Sequence, residues 1–237
     1  MIQLQKKARI AGFLYLLVAV TGPFVLLYVP GKLFVAGDPA ATAAKIAAHL
    51  PLFRAYIVVE LLSELFFIAT VLALFLLFKD TGRRLAFLML ILVLIDAPSA
   101  FQGVANHLST LSLVQDPDAM TGFDATQRAF LSTIQITLDR QGLPVSELFW
   151  GLWLLPLAVL VYRSGFLPRF LGIWLFLNGI AYVVISMTGI LLPEYSGVVS
   201  TVTLPILFGE IAFTLWLLIF GAKRYPFAAS VPGSAQG

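Results

Sequence analysis

The sequence predicts an all-α, polytopic membrane protein: six transmembrane helices in one bundle, with the N-terminus and C-terminus both cytoplasmic. Composition is the first sign. Of 237 residues, 60% are hydrophobic and 11% charged, where a soluble domain carries about 25% charge, and the mean hydropathy is +0.96. The second sign is segment length. Six stretches meet the requirement of ~20 mostly apolar residues per span. The third is the placement of the basic residues, which orients them.

Taken in order, the helices are expected at about 10–29, 54–78, 85–113, 143–162, 168–192 and 200–222. Ile10 to Gly31 carries no charge, and a bend is expected near Gly22-Pro23. The preceding Lys6-Lys7-Arg9 could open a signal peptide. The apolar run is long for that, however, and no clear small-residue cleavage site ends it, so it reads as an uncleaved first helix. Asp38-Pro39 has the form of an N-cap followed by proline at the first helical position, which predicts a short outer helix running to His49. Helix 2 ends at the turn Lys79-Asp80-Thr81-Gly82-Arg83-Arg84, and helix 3 contains Pro98 as an expected kink.

The segment 114–142 opens with turn chemistry at Asp116-Pro117-Asp118, and Asp124 to Gln127 then resembles a capping box. Phe130, Leu131, Ile134 and Leu138 would give the following helix one apolar face. It reads either as a lid lying on the outer surface or as a connector packed on the bundle rim. Arg163-Ser164-Gly165 turns helix 4 into helix 5, and residues 226–237 read as a disordered cytoplasmic tail beyond a single domain 1–225.

With a cytoplasmic N-terminus, that side holds Lys6, Lys7, Arg9, Lys79, Arg83, Arg84, Arg163, Arg169, Lys223 and Arg224. The other side holds Lys32, Lys45, Arg54, Arg128 and Arg140. This bias favours N-in and C-in. An internal repeat is also suggested. Helices 2, 4 and 6 carry Glu64, Glu147 and Glu210 at 15, 16 and 13 residues before a terminal basic residue. Three pseudo-repeated helical hairpins would explain that, although low-complexity apolar sequence yields such matches by chance. Mitochondrial carriers share a three-hairpin plan, but their Pro-x-acid-x-x-base signature is absent.

The acids inside these runs are the candidate site. At ~1.5 Å per residue, Glu64, Glu147 and Glu210 stand about 20–24 Å from the cytoplasmic edge of a core ~30 Å thick. They therefore sit in its outer half. Glu60 is one turn shallower than Glu64, and Asp96 reaches mid-membrane from the inside. Gly103 and His107 lie near the face of Asp96, with Asn106 adjacent; helix 5 offers Asn178, Tyr182 and Ser186 at spacing four. A carboxylate facing lipid costs at least ~2.5 kcal/mol, so five acids on four helices should turn inward around a polar cavity open outward. Shared protons or a bound cation would relieve their crowding. Hydrogen bonding between helices, with each acid merely structural, is the plainer alternative.

Other chemistries lack their residues. There is no cysteine, hence no disulfide or thiolate ligand. Two histidines, His49 and His107, are too few for a multi-histidine zinc hydrolase or a bis-histidine haem. No mid-membrane lysine serves a retinal Schiff base, and no P-loop, dinucleotide fingerprint or hydrolase elbow occurs. No cofactor and no nucleic-acid partner is expected, and no metal is assigned, although a carboxylate-plus-His107 metal site stays open. Trp150, Trp153, Trp174 and Trp216 would line an apolar pocket, form an interfacial belt or simply pack.

The chain resembles a bacterial membrane family known as domain of unknown function 4386. The resemblance rests on Ala8-Arg9-Ile10-Ala11-Gly12-Phe13-Leu14-Tyr15, the Glu-bearing helix 2, Phe149-Trp150-Gly151-Leu152-Trp153, and Gly165-Phe166-Leu167-Pro168-Arg169-Phe170-Leu171-Gly172. It covers roughly residues 6–224 and implies a multi-pass protein of the bacterial inner membrane, with membrane lipids around it and no activity to carry over. Two function classes follow from the acids. In one, Glu60, Glu64, Asp96, Asn106, His107, Glu147, Trp150, Asn178, Tyr182 and Glu210 line a cavity that binds a small ligand, cation or amphiphile, as a carrier or sensor. In the other, Glu64, Glu147, Glu210 and Asp96 are the catalytic acids and bases of an intramembrane enzyme acting on a lipid or isoprenoid, in the manner of a terpene cyclase.

Overall fold

A computed structural model describes residues 2–115 and 122–223. The predicted turn at Asp116-Pro117-Asp118 and the predicted tail lie outside the described residues. Within them the chain is helical throughout, and five helices are long and apolar enough to cross a membrane. Length and composition mark it as a multi-pass membrane protein.

Helix α1 spans Ile2–Pro23, and the chain passes directly into a π-helical turn, Phe24–Tyr28, then α2, Val29–Leu33. Pro23 has no N–H to continue the regular ladder, and the wider turn follows it at the place where a bend was expected. Helix α3, Pro39–Ala48, begins as the sequence foretold: Asp38 accepts a hydrogen bond from the Ala41 N–H at 2.9 Å, with proline next in line. Helix α4, Leu50–Gln115, is two helices in series. Gly82 adopts φ −171 and ψ 87 and breaks it into arms 50–81 and 83–115 within the predicted basic turn.

Helix α5, Ala125–Arg163, starts at a true capping box, in which the Gln127 N–H donates to Asp124 at 2.8 Å and the Asp124 N–H donates back to the Gln127 side chain at 2.9 Å. It then runs without a break through the junction expected at 142–143, so the start of the proposed lid is continuous with the span. The apolar face expected there is divided, with Leu131 and Ile134 half-buried. Phe130 and Leu138 are exposed, whereas Ser132 and Ile136 are buried. Pairing with α4 decides this: the Thr110 hydroxyl donates to the Ser132 carbonyl at 3.2 Å. After a turn at Gly165, where φ is +65, α6 spans Arg169–Leu191 and α7 spans Ser196–Ile219.

α5 packs against α4 and α6, α6 against α7, and α1 against both α7 and α4, which closes the bundle into a ring. Small residues let backbones approach, as membrane helices require. A Cβ on Gly151 would stand 2.6 Å from the Gly179 carbonyl oxygen, and one on Gly12 would stand 2.7 Å from the Leu218 nitrogen. Two apolar clusters result. The larger gathers Phe78, Trp153, Leu157 and Phe213; the smaller gathers Ile46, Phe53, Tyr56, Val104 and Ile136. Long apolar side chains such as Val20, Phe87, Ile173 and Val202 point outward, which suits lipid rather than water as solvent.

Candidate functional site

Antiparallel pairing of the second α4 arm with α5 builds most of the site. Asp96, Gly103 and His107 fall at spacings of 7 and 11, which keeps them near one face of a 3.6-residue helix. On α5, Asp139 and Ser146 share a face for the same reason. These two faces meet. The Ser146 hydroxyl donates to Asp96 at 2.9 Å, and His107 lies beside Asp139.

The structure brings the sequence-predicted residues together as three groups. The first holds Glu60 and His107. The imidazole Nδ1 is 2.9 Å from a Glu60 oxygen, and Nε2 is 3.7 Å from Asp139. His107 is wholly buried and is enclosed by the rings of Tyr56, Phe53 and Phe34 at 4.8, 6.1 and 6.3 Å between centroids. The second group holds Asp96, which accepts a hydrogen bond from Ser146 and has the Trp150 indole within reach, with Glu64 in electrostatic reach. The third centres on Glu210, which accepts a short hydrogen bond from the Tyr15 hydroxyl. Tyr182 and Asn178 also lie within hydrogen-bonding reach of Glu210, and the Asn178 amide donates to the Leu207 carbonyl at 3.2 Å.

Trp150 and Tyr182 join the last two groups, their rings packed edge-on at 6.0 Å. Glu147 stands in electrostatic reach of Tyr182. The polar side chains thus form a thread, Asp96–Trp150–Tyr182–Glu210, through an otherwise apolar interior. Asn106 stands apart from it. Its side chain accepts from Gln102 at 3.0 Å, one turn back on the same helix. His49 is exposed, its Nδ1 3.0 Å from the Lys45 carbonyl oxygen.

Three residues escaped the sequence reading. Asp139 lies in the segment 114–142, outside the six apolar runs, although its heptad spacing to Ser146 signals a shared helix face. Tyr15 is a single hydroxyl in an uncharged run, and nothing local distinguishes it from packing. Ser146 is a small hydroxyl residue beside Glu147, and only its spacing of seven from Asp139 sets it on the site's face. Gly103 gains a purpose too: a Cβ there would collide with an Asp139 oxygen and stand 3.4 Å from a Glu60 oxygen.

An uncharacterized protein of Archaeoglobus fulgidus is 32% identical over 81 residues, a stretch that is 34% of this chain and 47% of the archaeal one. The match thus spans about half the length of that relative. No solved structure matches. The family model described as "Domain of unknown function (DUF4386)" matches residues 10–221, nearly the whole bundle, and the chain belongs to that family.

Proposed function

We propose that this is an integral inner-membrane protein of a bacterial cell whose buried acids bind a small ligand, cation or amphiphile, and that it works as a carrier or sensor. The observation that carries the reading is the thread from Asp96 through Trp150 and Tyr182 to Glu210, in which acids on α4 and α7 each lie within reach of a neutral donor and the two donors' rings pack together. Ionisable side chains are costly at such depth and recur where protons or substrates pass. Neutral hydroxyl, indole and amide donors stabilise a carboxylate without neutralising it. A carboxylate held this way can exchange a proton or a cation with a ligand.

In this reading the chain crosses the membrane six times, with the break at Gly82 on the cytoplasmic side and both termini inside, as the Lys and Arg bias favours. The acids then lie toward the outer half, membrane lipids surround the exposed apolar faces, and the first turns of α5 cap the outer end. The test is flux in sealed liposomes of the full chain carrying a pH-sensitive dye. Glu210→Gln should abolish dye-reported proton movement that the wild type supports. Equal flux from Glu210→Gln, Asp96→Asn and the wild type would refute the reading.

A further inference from the structure

We infer that Glu60, His107 and Asp139 form a binding site for one divalent transition-metal cation, with zinc as the natural probe. Ligand atoms of these three residues lie within 4.8 Å of one another. Their arrangement also matches the way a metal-binding histidine is held. A carboxylate only accepts hydrogen bonds, so Glu60 at 2.9 Å places the imidazole hydrogen on Nδ1. Carboxylate support of this kind fixes the tautomer of metal-bound histidines and aims the other nitrogen.

That other nitrogen is the decisive atom. Nε2 of His107 is buried and has no hydrogen-bond partner. It faces an Asp139 oxygen at 3.7 Å, beyond the ~2.7–3.2 Å of a hydrogen bond. With the hydrogen on Nδ1, a lone pair confronts a carboxylate, and two acceptors face each other. A cation resolves the conflict. Two ligand atoms each ~2.1 Å from zinc stand about 3.4 Å apart at a tetrahedral angle, close to the separation found.

Gly103 supplies the room. A methyl group at that position would fill the space between Glu60 and Asp139, so the absent side chain leaves a cradle lined by two oxygens. Two carboxylates with a neutral imidazole sum to a formal charge matched by a divalent ion. Imidazole favours zinc and its transition-metal neighbours over magnesium or calcium. Arg140 is in electrostatic reach of Asp139, but it is exposed and its charge is better screened. The ring of Phe34, Phe53 and Tyr56 keeps the remaining surroundings apolar. The inference does not depend on the carrier reading: bound zinc without flux would refute only the latter.

The experiment uses the tag-free full chain in detergent, treated with chelator and titrated with zinc alone by calorimetry. One equivalent should bind, Asp139→Asn and Gly103→Ala should each weaken binding at least ~10-fold, and Glu60→Gln should do so by ~10–100-fold. Because His107 is wholly buried and its variants risk misfolding, zinc X-ray absorption on the wild type supplies a second reading. One imidazole nitrogen with oxygen ligands would support the site. No uptake by the wild type, binding unchanged in Asp139→Asn and Gly103→Ala, or a zinc shell with no imidazole or more than one would overturn it.

Discussion

Two buried acids in this bundle, Glu60 and Glu210, meet opposite environments. Glu210 is supplied with donors from two helices: Tyr15 on α1, and Tyr182 and Asn178 on α6. The Tyr15 hydroxyl donates directly to a carboxylate oxygen, so Glu210 faces donors rather than a second acceptor. Glu60 instead shares one imidazole with Asp139, leaving Nε2 unmatched and two acceptors face to face. A carboxylate surrounded by donors serves as a reversible proton or ligand holder; one arranged around an orphaned acceptor pair calls for a cation. The same residue type thus does different work according to what the neighbouring helices present.

The largest expected effect on this contrast comes from His107→Ala. It removes a fully buried ring from contact with Tyr56, Phe53 and Phe34, which should cost about 3 kcal/mol or more by analogy with aromatic truncation. Thermal unfolding in detergent would check it, and a loss under 1 kcal/mol would mean the outer cluster is looser than described. Next comes Tyr15→Phe, which deletes the short donor to Glu210 and should cost about 1–3 kcal/mol. Zinc should raise the melting temperature of that variant as much as it does the wild type, while raising that of Asp139→Asn less at the same zinc concentration. If Tyr15→Phe also abolished the zinc response, the two regions would be one coupled site.

A smaller effect sharpens their independence. Combining Asp139→Asn with Tyr15→Phe should give additive losses within about 0.5 kcal/mol, as expected of sites without shared partners. Coupling well above that figure would show that the thread carries strain between them. Ser186→Ala lies outside both clusters. It removes a 2.6 Å hydrogen bond to the Pro144 carbonyl and should cost about 0.6 kcal/mol, the usual worth of an interhelical bond in membranes. Phe130→Ser, on an exposed face of α5, should stay within about 0.5 kcal/mol of the wild type in detergent.

Much of the chain was legible before any coordinates. The caps at Asp38 and Asp124 are local chemistry, a side-chain oxygen placed three residues before an N–H, and both form as expected. The basic turn around Gly82 and the turn at Gly165 were readable for the same reason. Asp96, His107, Asn178, Tyr182 and Glu210 announced themselves as polar groups in apolar runs, where lipid penalises them unless they face inward. Asn106 did so as well and yet bonds outward to Gln102, because spacing identifies a face of one helix and not the partner opposite. The four residues of the apolar face expected on α5 are buried unequally for a related cause: in a membrane, apolar residues gain little by turning inward, so Phe130 and Leu138 carry no instruction about where the bundle lies.

The sequence by itself determined the helical class, the approximate spans and the short list of acids that must avoid lipid. Those follow from composition and from one-dimensional spacing, which act within a single helix. Only the tertiary structure decided which acid meets which partner: that Asp139 joins His107, that Tyr15 comes from the far end of the chain to Glu210, and that Gly103 keeps a space open between two carboxylates. Such pairings depend on the rotation and register of one helix against another. Close backbone contacts at residues such as Gly151 and Gly179 set these, and no local pattern in the chain encodes them.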